Sequence, residues 1–310
     1  MILSVGLSPA WQQILVFDSV QTGQVNRAHT AKWCASGKVF NAAIAIHTLG
    51  GSGLVMAPVG GMPQRSMEQE LRALGMAYRL VKSESTTRVC TTIIDQGSGS
   101  ITELVEEGRP LSPVELDVFQ SVYGEEVTQA GVVVMMGSLP QGVPVSFYRQ
   151  LLEKSACPMV LDFRGEGLLS VLDLEPLVVK PNREELAKTV EYALDQDQIL
   201  MDAMLSLNQQ GAKWVVVTGG QEPVWLSSVS EVYRIWPCNL DAGEIVNPIG
   251  SGDAMAGTIA WAVENGTSVP DAVCLGVAAA AQNIRALLPC RLDPSTLAAE
   301  AKAIRVERVQ

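Results

Sequence analysis

The feature that most constrains the fold is a set of short apolar runs in which consecutive residues, and not alternate ones, are hydrophobic. The runs are ILSVGL (2–7), GVVVMMG (131–137), PMVLDF (158–163), LVVK (177–180) and WVVVTGG (214–220). Such runs are typical of strands that are buried on both faces, as the strands of a parallel sheet are.

Helical patterns precede or separate these runs, over residues 38–50, 66–75, 144–155 and 182–194. Glycines suit the C-termini of the first two, Pro144 suits a first turn, and the early acids of the last suit the helix dipole. Strands and helices that alternate from about residue 130 to 220 indicate βαβ units. The sequence therefore predicts an α/β fold, with helices flanking a doubly wound, mainly parallel sheet.

Two segments, residues 11–35 and 86–105, break this rhythm. They alternate in polarity or carry β-branched residues between turns, as in TTRVCTTIIDQGSGSITELV (86–105). This pattern predicts antiparallel, partly exposed strands in a small sheet beside the main one. We therefore expect one domain over residues 1–310, with a β lid built from about 11–35 and 86–105.

Charge argues against a role in nucleic-acid binding. The 310 residues carry a net charge of -11, and no basic run or Arg/aromatic stripe offsets it. Hydrophobic residues make up 47% and charged residues 18%, which is typical of a chain with a large core. A protein with this charge must bind an anion through a few local donors.

The cysteines and the start of the chain indicate a cytoplasmic protein. The 6 cysteines are scattered and form no CxxC pair, so free thiols in a reducing compartment are expected. The start lacks the basic region of a signal peptide, and polar residues interrupt every long apolar run, so we expect no contact with a membrane.

The stretch NPIGSGDAMAG (247–257) surrounds Asp253 with glycines and a serine, just where an alanine-rich helical segment begins. Glycines permit a tight turn, and the NH groups of a helix N-terminus bind anions. Asp253 either caps the helix or accepts a proton from a hydroxyl that attacks a phosphate held by those NH groups. The motif alone favours neither reading. The chain contains no GxxxxGKS/T loop, and no GxGxxG follows a strand.

Further segments follow one another along the chain: GQVNRA (23–28), SGKVFNAA (36–43), TRVCTTI (87–93), ITELVEEG (101–108), GSLPQGVPVSFY (137–148), VLDFRGEGL (160–168), KPNREEL (180–186) and AAAAQNIRA (278–286). With VNPIGSGDAMAG (246–257), they resemble in order the motifs of the PfkB/ribokinase family of ATP-dependent sugar kinases. The resemblance is greatest to the branch of 1-phosphofructokinases and tagatose-6-phosphate kinases. GSLP and KPNREEL are its most specific parts.

This resemblance implies a ribokinase-like fold and a kinase that uses ATP and Mg²⁺. The acceptor would be a hydroxyl of a sugar, with a phosphorylated hexose such as fructose 1-phosphate or tagatose 6-phosphate as first candidate. Asp253 would be the catalytic base. The NH groups of Gly250, Ser251 and Gly252 would form the anion hole.

On the ATP side, the resemblance implies that the nucleotide contacts Lys180, Asn182, Glu185, Thr218, Gly220 and Asn283. Asn182 and Glu185 would hold Mg²⁺ through water, which suits an ion that keeps much of its hydration shell. Asn182 is also a candidate helix N-cap, and Asn283 could be a helix residue that faces the interior.

On the acceptor side, the resemblance implies contacts from Gln12, Arg27, Gly37, Lys38, Asn41, Arg88 and Ser138. Arg27, Lys38 and Arg88 are candidate anchors for a phosphate already present on the sugar. Arg88 is the strongest of the three, because a guanidinium binds a phosphate through two parallel hydrogen bonds. Asn41 and Ser138 would bond to sugar hydroxyls.

The departures from the family pattern fall on the acceptor side. Gln12 stands where the family has an Asp, and Trp11 next to it is expected to add bulk to the same pocket. Ser36 and Val39 replace glycines, and strain follows if those positions need a positive φ. Phe40 would make the pocket more apolar or would face the core. Pro248, where other branches have Thr, is a mild change.

Alternative functions remain open. One is a kinase of an unphosphorylated sugar or a nucleoside, and another is a non-catalytic protein that binds a sugar or a nucleotide. Because Asp253 and the GSG turn are retained, we favour an active kinase with an altered acceptor. A homodimer formed through the two lids is also expected, because it would cover the exposed sheet edges.

Overall fold

The computed structural model describes residues 1–310, the side chain of Ala242 excepted. The strands are β1 (Ile2–Val5), β2 (Ala10–Phe17), β3 (Thr30–Ser36), β4 (Gly53–Val59), β5 (Ala77–Lys82), β6 (Arg88–Asp95), β7 (Ser100–Val105), β8 (Val132–Met136), β9 (Met159–Asp162), β10 (Val178–Val179), β11 (Trp214–Gly219), β12 (Glu222–Ser227), β13 (Val232–Ile235) and β14 (Val306–Arg308). The α-helices are α1 (Lys38–Thr48), α2 (Gly61–Ala73), α3 (Pro113–Glu126), α4 (Phe147–Leu152), α5 (Glu166–Leu169), α6 (Arg183–Val190), α7 (Asp197–Gln209), α8 (Ser251–Glu264), α9 (Val269–Ile284) and α10 (Pro294–Lys302). Within the described residues, no helix is both long enough and apolar enough to cross a membrane.

The larger sheet has ten strands in the order β14-β13-β12-β11-β10-β9-β8-β1-β4-β5. Neighbours from β11 to β5 pair in parallel, and β12, β13 and β14 extend one edge in antiparallel fashion. All the apolar runs of the sequence lie in the parallel part. The predicted doubly wound, mainly parallel sheet is therefore confirmed.

The core has two layers because alternate residues of each strand point to opposite faces of the sheet. In β8, Val133 and Met135 pack with residues of α3, α4 and α7. Val132 and Val134 pack with residues of α8 and α9 on the other face. Both faces of the central strands are thus covered by helices, which explains their unbroken hydrophobicity.

The helices occupy the predicted segments with different ends. α2 begins at Gly61, before the predicted start, and α4 begins at Phe147, after it. α6 is shorter than predicted, because Glu191 adopts a left-handed conformation with φ 62° and ends the helix.

The smaller sheet, the lid, has four strands in the order β3-β2-β6-β7. β2 pairs with β3 and β6 with β7 in antiparallel fashion, as predicted within each segment. The two hairpins, however, join through a parallel pair, β2 with β6, which the antiparallel prediction did not include. The chain passes through α1, β4, α2 and β5 between them and re-enters the lid in its original direction.

Candidate active site

A cavity of about 480 Å³ lies between the lid and the ends of the parallel strands. One wall is formed by residues at or just after the carboxyl ends of β9, β10 and β11, namely Asp162, Lys180 and Thr218. The opposite wall comes from the lid, and the turn before α8 closes the cavity. In open parallel sheets, ligands bind outside the carboxyl ends of the strands, and this cavity has that location.

The turn before α8 presents backbone NH groups to the cavity. Gly250 is the N-cap of α8, with φ 86°, and Ser251 and Gly252 form the first turn. A Cβ added to Gly250 would lie 3.0 Å from Pro289 Cβ and 3.3 Å from Asn41 Nδ2. Both its conformation and its surroundings therefore require a glycine. The result is a helix N-terminus, a favourable site for an anion.

Asp253 lies in this first turn and is only 8% exposed. Burial raises the pKa of Asp253 to about 6, and the charge of Asp162 adds to the rise, while Lys38, Asn41 and Lys180 oppose it. Asn41 Nδ2 donates a hydrogen bond to Asp253 Oδ2 at 2.8 Å. A carboxylate with this pKa is ionised at neutral pH yet basic enough to accept a proton.

Ser36 contributes to the geometry around Asp253. Its Oγ donates to Asn41 Oδ1 at 3.1 Å, so both ends of the Asn41 amide are bonded. Ser36 and Asn41 are 2% and 3% exposed, which keeps the chain of hydrogen bonds out of water. The replacement of a glycine by Ser36 thus orients the partner of Asp253.

Two lysines meet one buried carboxylate at the strand ends. Lys38 Nζ is 2.7 Å from Asp162 Oδ1, and Lys180 Nζ is 2.7 Å from Asp162 Oδ2. Burial alone would raise the pKa of Asp162, but the two ammonium groups hold it below its usual value. Burial likewise opposes the charge of Lys38, yet the facing carboxylates raise its pKa. Lys38 is thus fixed by Asp162 and also by Glu185, at 3.2 Å.

Asn182 and Glu185 form a capping box at the start of α6. Glu185 N donates to Asn182 Oδ1, and Asn182 N donates to Glu185 Oε2. Both residues also line the cavity, beside Thr218 and Gly220. Asn182 is therefore a helix cap that also lines the cavity, and its contact with Mg²⁺ stays a prediction.

No cluster of three His, Cys, Asp or Glu side chains that could hold a metal exists among the described residues. At the start of α6 and the end of β9, the cavity wall offers oxygens of Asn182, Glu185 and Asp162, and most already have partners. This donor set fits Mg²⁺, a hard cation that keeps several waters and takes its remaining ligands from phosphates.

The lid presents Gln12, Arg88, Cys90, Glu103 and Val105 to the cavity. Gln12 Nε2 donates to Thr92 Oγ1 at 2.7 Å, which fixes its amide. Gly37, with φ 81°, lies so close to the lid that an added Cβ would be 2.8 Å from the Ser8 carbonyl oxygen. This close approach and the positive φ both require glycine at this position.

Arg88 stabilises the base of the lid through hydrogen bonds to the backbone. Its guanidinium donates to the carbonyl oxygens of Pro9, Glu106 and Ser8. A guanidinium has five N–H donors, so two stay free for a ligand. Arg88 therefore combines a structural role with a place at the cavity wall.

Of the expectations about the departures from the family pattern, the bulk of Trp11 in the pocket is wrong, Phe40 takes the core alternative, and the condition for strain at Val39 is not met. Val39 and Phe40 are 1% and 0% exposed and belong to the core under α1, and Val39 has no positive φ. Trp11 follows Ala10 and precedes Gln12 on β2, so alternation points its side chain to the other face of the lid. There it stacks on Trp33, with ring centroids 5.9 Å apart.

Three predicted site residues lie outside the cavity wall. Arg27 is exposed in the loop between β2 and β3. This loop begins after Phe17, and the five residues of strand from Gln12 to Phe17 span roughly 17 Å, so the loop starts well away from the cavity. Asn283 is buried and bonds to Ile249, Ser251 and Cys290, so it holds the turn before α8 and is not free for adenine. Ser138 is exposed, and its carbonyl accepts from Ser8 Oγ at 2.9 Å.

Sequence reasoning missed Asp162 and Glu103. Asp162 stands inside the quoted segment VLDFRGEGL, and an acid that follows three apolar residues of a buried strand is a signal that could have found it. Glu103 lies on β7 within ITELVEEG, where strand alternation alone does not say which face meets the cavity.

Comparison with known proteins gives a consistent result. The pfkB family of carbohydrate kinases matches residues 2–293 of the chain. The tagatose-6-phosphate kinase of Staphylococcus epidermidis is 27% identical over 266 residues, which cover 84% of this chain and 84% of that protein.

Solved structures share the fold. A possible 1-phosphofructokinase of Thermotoga maritima has a TM-score of 0.90 at 22% identity, with 100% of both chains covered. Phosphofructokinase-2 of Escherichia coli in complex with fructose-6-phosphate has a TM-score of 0.85 at 24% identity, covering 97% of this chain and 99% of that chain. The same Escherichia coli protein has a tetrameric inhibited form.

Proposed function

Since the chain belongs to the pfkB family of carbohydrate kinases, which are phosphotransferases with an alcohol group as acceptor, we propose that it phosphorylates a phosphohexose at the expense of ATP. The observation that carries this proposal is the position of Asp253. A buried carboxylate with a pKa of about 6 lies in the first turn of α8, beside the NH groups of an anion site and two lysines. A base and an anion site in contact are what phosphoryl transfer requires.

In the proposed reaction, the acceptor hydroxyl bonds to Asp253 and transfers its proton to that carboxylate. The hydroxyl oxygen forms a bond to the γ-phosphorus, the bond between the γ-phosphorus and the bridging oxygen breaks, and ADP leaves with the electron pair. The NH groups of Gly250, Ser251 and Gly252 stabilise the charge on the transferred group. A Cβ on Gly252 would be 3.5 Å from Lys180 Nζ, so this lysine adds positive charge beside the turn.

The ATP phosphates would extend from the α8 turn along the strand ends towards Thr218 and Gly220. Asn182, Glu185 and Asp162 would hold a hydrated Mg²⁺ there, which would neutralise charge on the β- and γ-phosphates when bound. Lys38 and Lys180 are held in place by Asp162. Positioning by prearranged charges of this kind is the main source of catalysis in phosphoryl transfer.

The acceptor would lie under the lid. The two free N–H donors of Arg88 suit the phosphate already on a hexose, and the amide oxygen of Gln12 suits a hydroxyl. The names of the relatives support a phosphorylated hexose, and tagatose 6-phosphate and fructose 1-phosphate are the first acceptors to test.

We also propose that two copies pair through the outer faces of their lids. This face carries Trp11, Leu15 and Ile93, all half-buried, together with the exposed Trp33 and Leu104. Apolar side chains on an exposed sheet indicate a surface that is covered in solution.

Release of ADP with each candidate acceptor tests the proposed function. Phosphohexoses are compared with free hexoses, pentoses and nucleosides, with ATP and Mg²⁺ held constant. We expect turnover with a phosphohexose. Turnover of nucleosides or free sugars alone would assign a different acceptor, and ATP binding without turnover of any acceptor would favour a binding protein.

Asp253→Asn gives the matching test of mechanism. We expect kcat to fall by about 10²- to 10⁴-fold, because the general base is lost, while the Kd for ATP stays nearly unchanged. Asp117→Asn is the control, since Asp117 is an exposed acid on α3 that does not line the cavity. Near-normal turnover in Asp253→Asn would exclude the base.

A further inference from the structure

One charged group of the cavity wall is not accounted for by the proposed reaction. Glu103 lines the acceptor side of the cavity from β7. Among the described residues, its carboxylate has no hydrogen bond and no ion pair. The other charged residues of the wall all have fixed partners: Lys38, Arg88, Asp162, Lys180, Glu185 and Asp253.

The position of Glu103 is set by sheet register and not by a mobile loop. Glu103 pairs with Thr92, and Val105 pairs with Cys90. Residues directly opposite one another in an antiparallel pair share a face of the sheet. Thr92 and Cys90 are buried on the inner face of the lid, so Glu103 is held over the cavity by the same ladder that holds Gln12.

The chemistry of the neighbours restricts what Glu103 can bind. An ionised carboxylate only accepts hydrogen bonds, so its partner must be a donor. Glu103 is exposed to solvent on one side; partial burial raises its pKa, and the charge of Arg88 on the same face opposes the rise. A second cation close to this guanidinium is unfavourable, and a phosphate is repelled by the carboxylate. Neutral hydroxyl groups satisfy both conditions.

We propose that Glu103 is a specificity-determining residue that accepts hydrogen bonds from hydroxyls of the acceptor sugar. This role rests on the proposed function and specifies its substrate class as a polyhydroxylated acceptor with one anionic end. Arg88 takes the phosphate, Glu103 takes hydroxyls and excludes the phosphate from its own side, and Asp253 takes the hydroxyl that reacts. Glu103 thus supplies the charged acceptor that the neutral amide of Gln12 cannot.

Glu103→Gln tests this role, because it removes the charge and keeps the shape. We expect the KM for the acceptor to rise about 10- to 100-fold, the range for loss of hydrogen bonds to a charged group, with the KM for ATP unchanged. Glu107→Gln is the matched control. Glu107 is an exposed acid four residues further on whose carboxylate has no hydrogen bond or ion pair among the described residues and does not line the cavity, so its variant should behave as wild type.

Acceptor analogues that each lack one hydroxyl separate a direct contact from damage to the lid. For the hydroxyl that Glu103 binds, we expect the KM of the analogue that lacks it, measured with Glu103→Gln, to rise no more than either change raises it alone. If the KM of every analogue, relative to that of the full acceptor, rises by the same factor in wild type and in Glu103→Gln, the direct contact is excluded. An analogue with an ammonium group in place of a hydroxyl should bind more weakly, and tighter binding would overturn the hydroxyl assignment.

Activity of the wild type separates the two proposals. A wild type that turns over no acceptor overturns the proposed function, and the role of Glu103 with it. An active wild type whose acceptor KM survives Glu103→Gln overturns only the role of Glu103.

Discussion

Asp253 owes its basicity to the balance of its neighbours. Removal from water raises the pKa, and Asp162 raises it further, whereas Lys38, the Asn41 amide and Lys180 lower it. The same lysines are themselves held by Asp162. A single buried acid, Asp162, therefore positions both lysines and adds to the proton affinity of Asp253.

This balance predicts a pH dependence. The base must be ionised to act, and the folded pKa of Asp253 is about 6, above the usual aspartate value of 3.8. We expect kcat/KM to be constant above this pKa and to fall tenfold per pH unit below it. Asp162→Asn removes a like charge, so it should move the acidic limb to lower pH. The profile of kcat/KM between pH 4 and 8, measured for both proteins, checks the assignment, and an acidic limb that does not move would contradict it.

At the scale of elements, the N-terminus of α8 depends on one glycine. Gly250 combines a positive φ with close contacts to Pro289 and Asn41, and Asn283 holds the residues on either side of it. The helix thus begins at a fixed place relative to the strand ends, which keeps the NH groups aligned with Lys180.

Gly250→Ala tests this arrangement. We expect a loss of about 1 to 3 kcal/mol in the free energy of unfolding, from backbone strain plus steric conflict, together with a lower kcat. Gly266→Ala is the control, since Gly266 follows α8 with φ 79° and has no atom within 4 Å of an added Cβ. It should lose stability and keep its kcat. Urea unfolding and turnover of both variants decide the point, and equal kcat values would refute a positional role.

The parallel junction between β2 and β6 also acts at this scale. It places Gln12 beside Cys90, and hence Arg88 and Glu103 over the same cavity. Two separate antiparallel hairpins would not have brought these residues together. The acceptor wall is therefore a product of the topology of the lid.

At the scale of the whole molecule, the lid turns Gln12, Arg88 and Glu103 to the cavity and carries apolar side chains on its outer face. If the outer faces pair, Trp33→Glu should convert a dimer into a monomer, because a buried unpaired charge is strongly unfavourable. Val229→Glu is the control, since Val229 is 72% exposed in the turn between β12 and β13 of the main sheet. Light scattering of the eluting species measures the mass of each protein. A wild type that elutes as a monomer would exclude pairing.

The sequence by itself determined the layered architecture and indicated a candidate chemical centre at Asp253. Unbroken apolar runs required strands buried on both faces, and local signals marked the GSGD turn and the NxxE capping box, because these depend on neighbouring residues alone. The sequence also predicted strand β2 and helix α1, but it did not determine which of their side chains face the cavity. Trp11 was expected in the pocket, which is wrong, and the positive φ that would have strained Val39 is absent.

Only the tertiary structure decided which distant residues meet. Asp162 binds Lys38, 124 positions away in sequence, and Lys180, 18 positions away. The side chain of Asn283 is bonded to the turn before α8, and Arg27 lies in the loop after β2, away from the cavity. Motifs specify residue types and local conformation. The direction in which a strand re-enters a sheet, and the face that it turns to a cavity, depend on packing over the whole chain. That packing places Glu103 and Asp253 in the wall of one cavity.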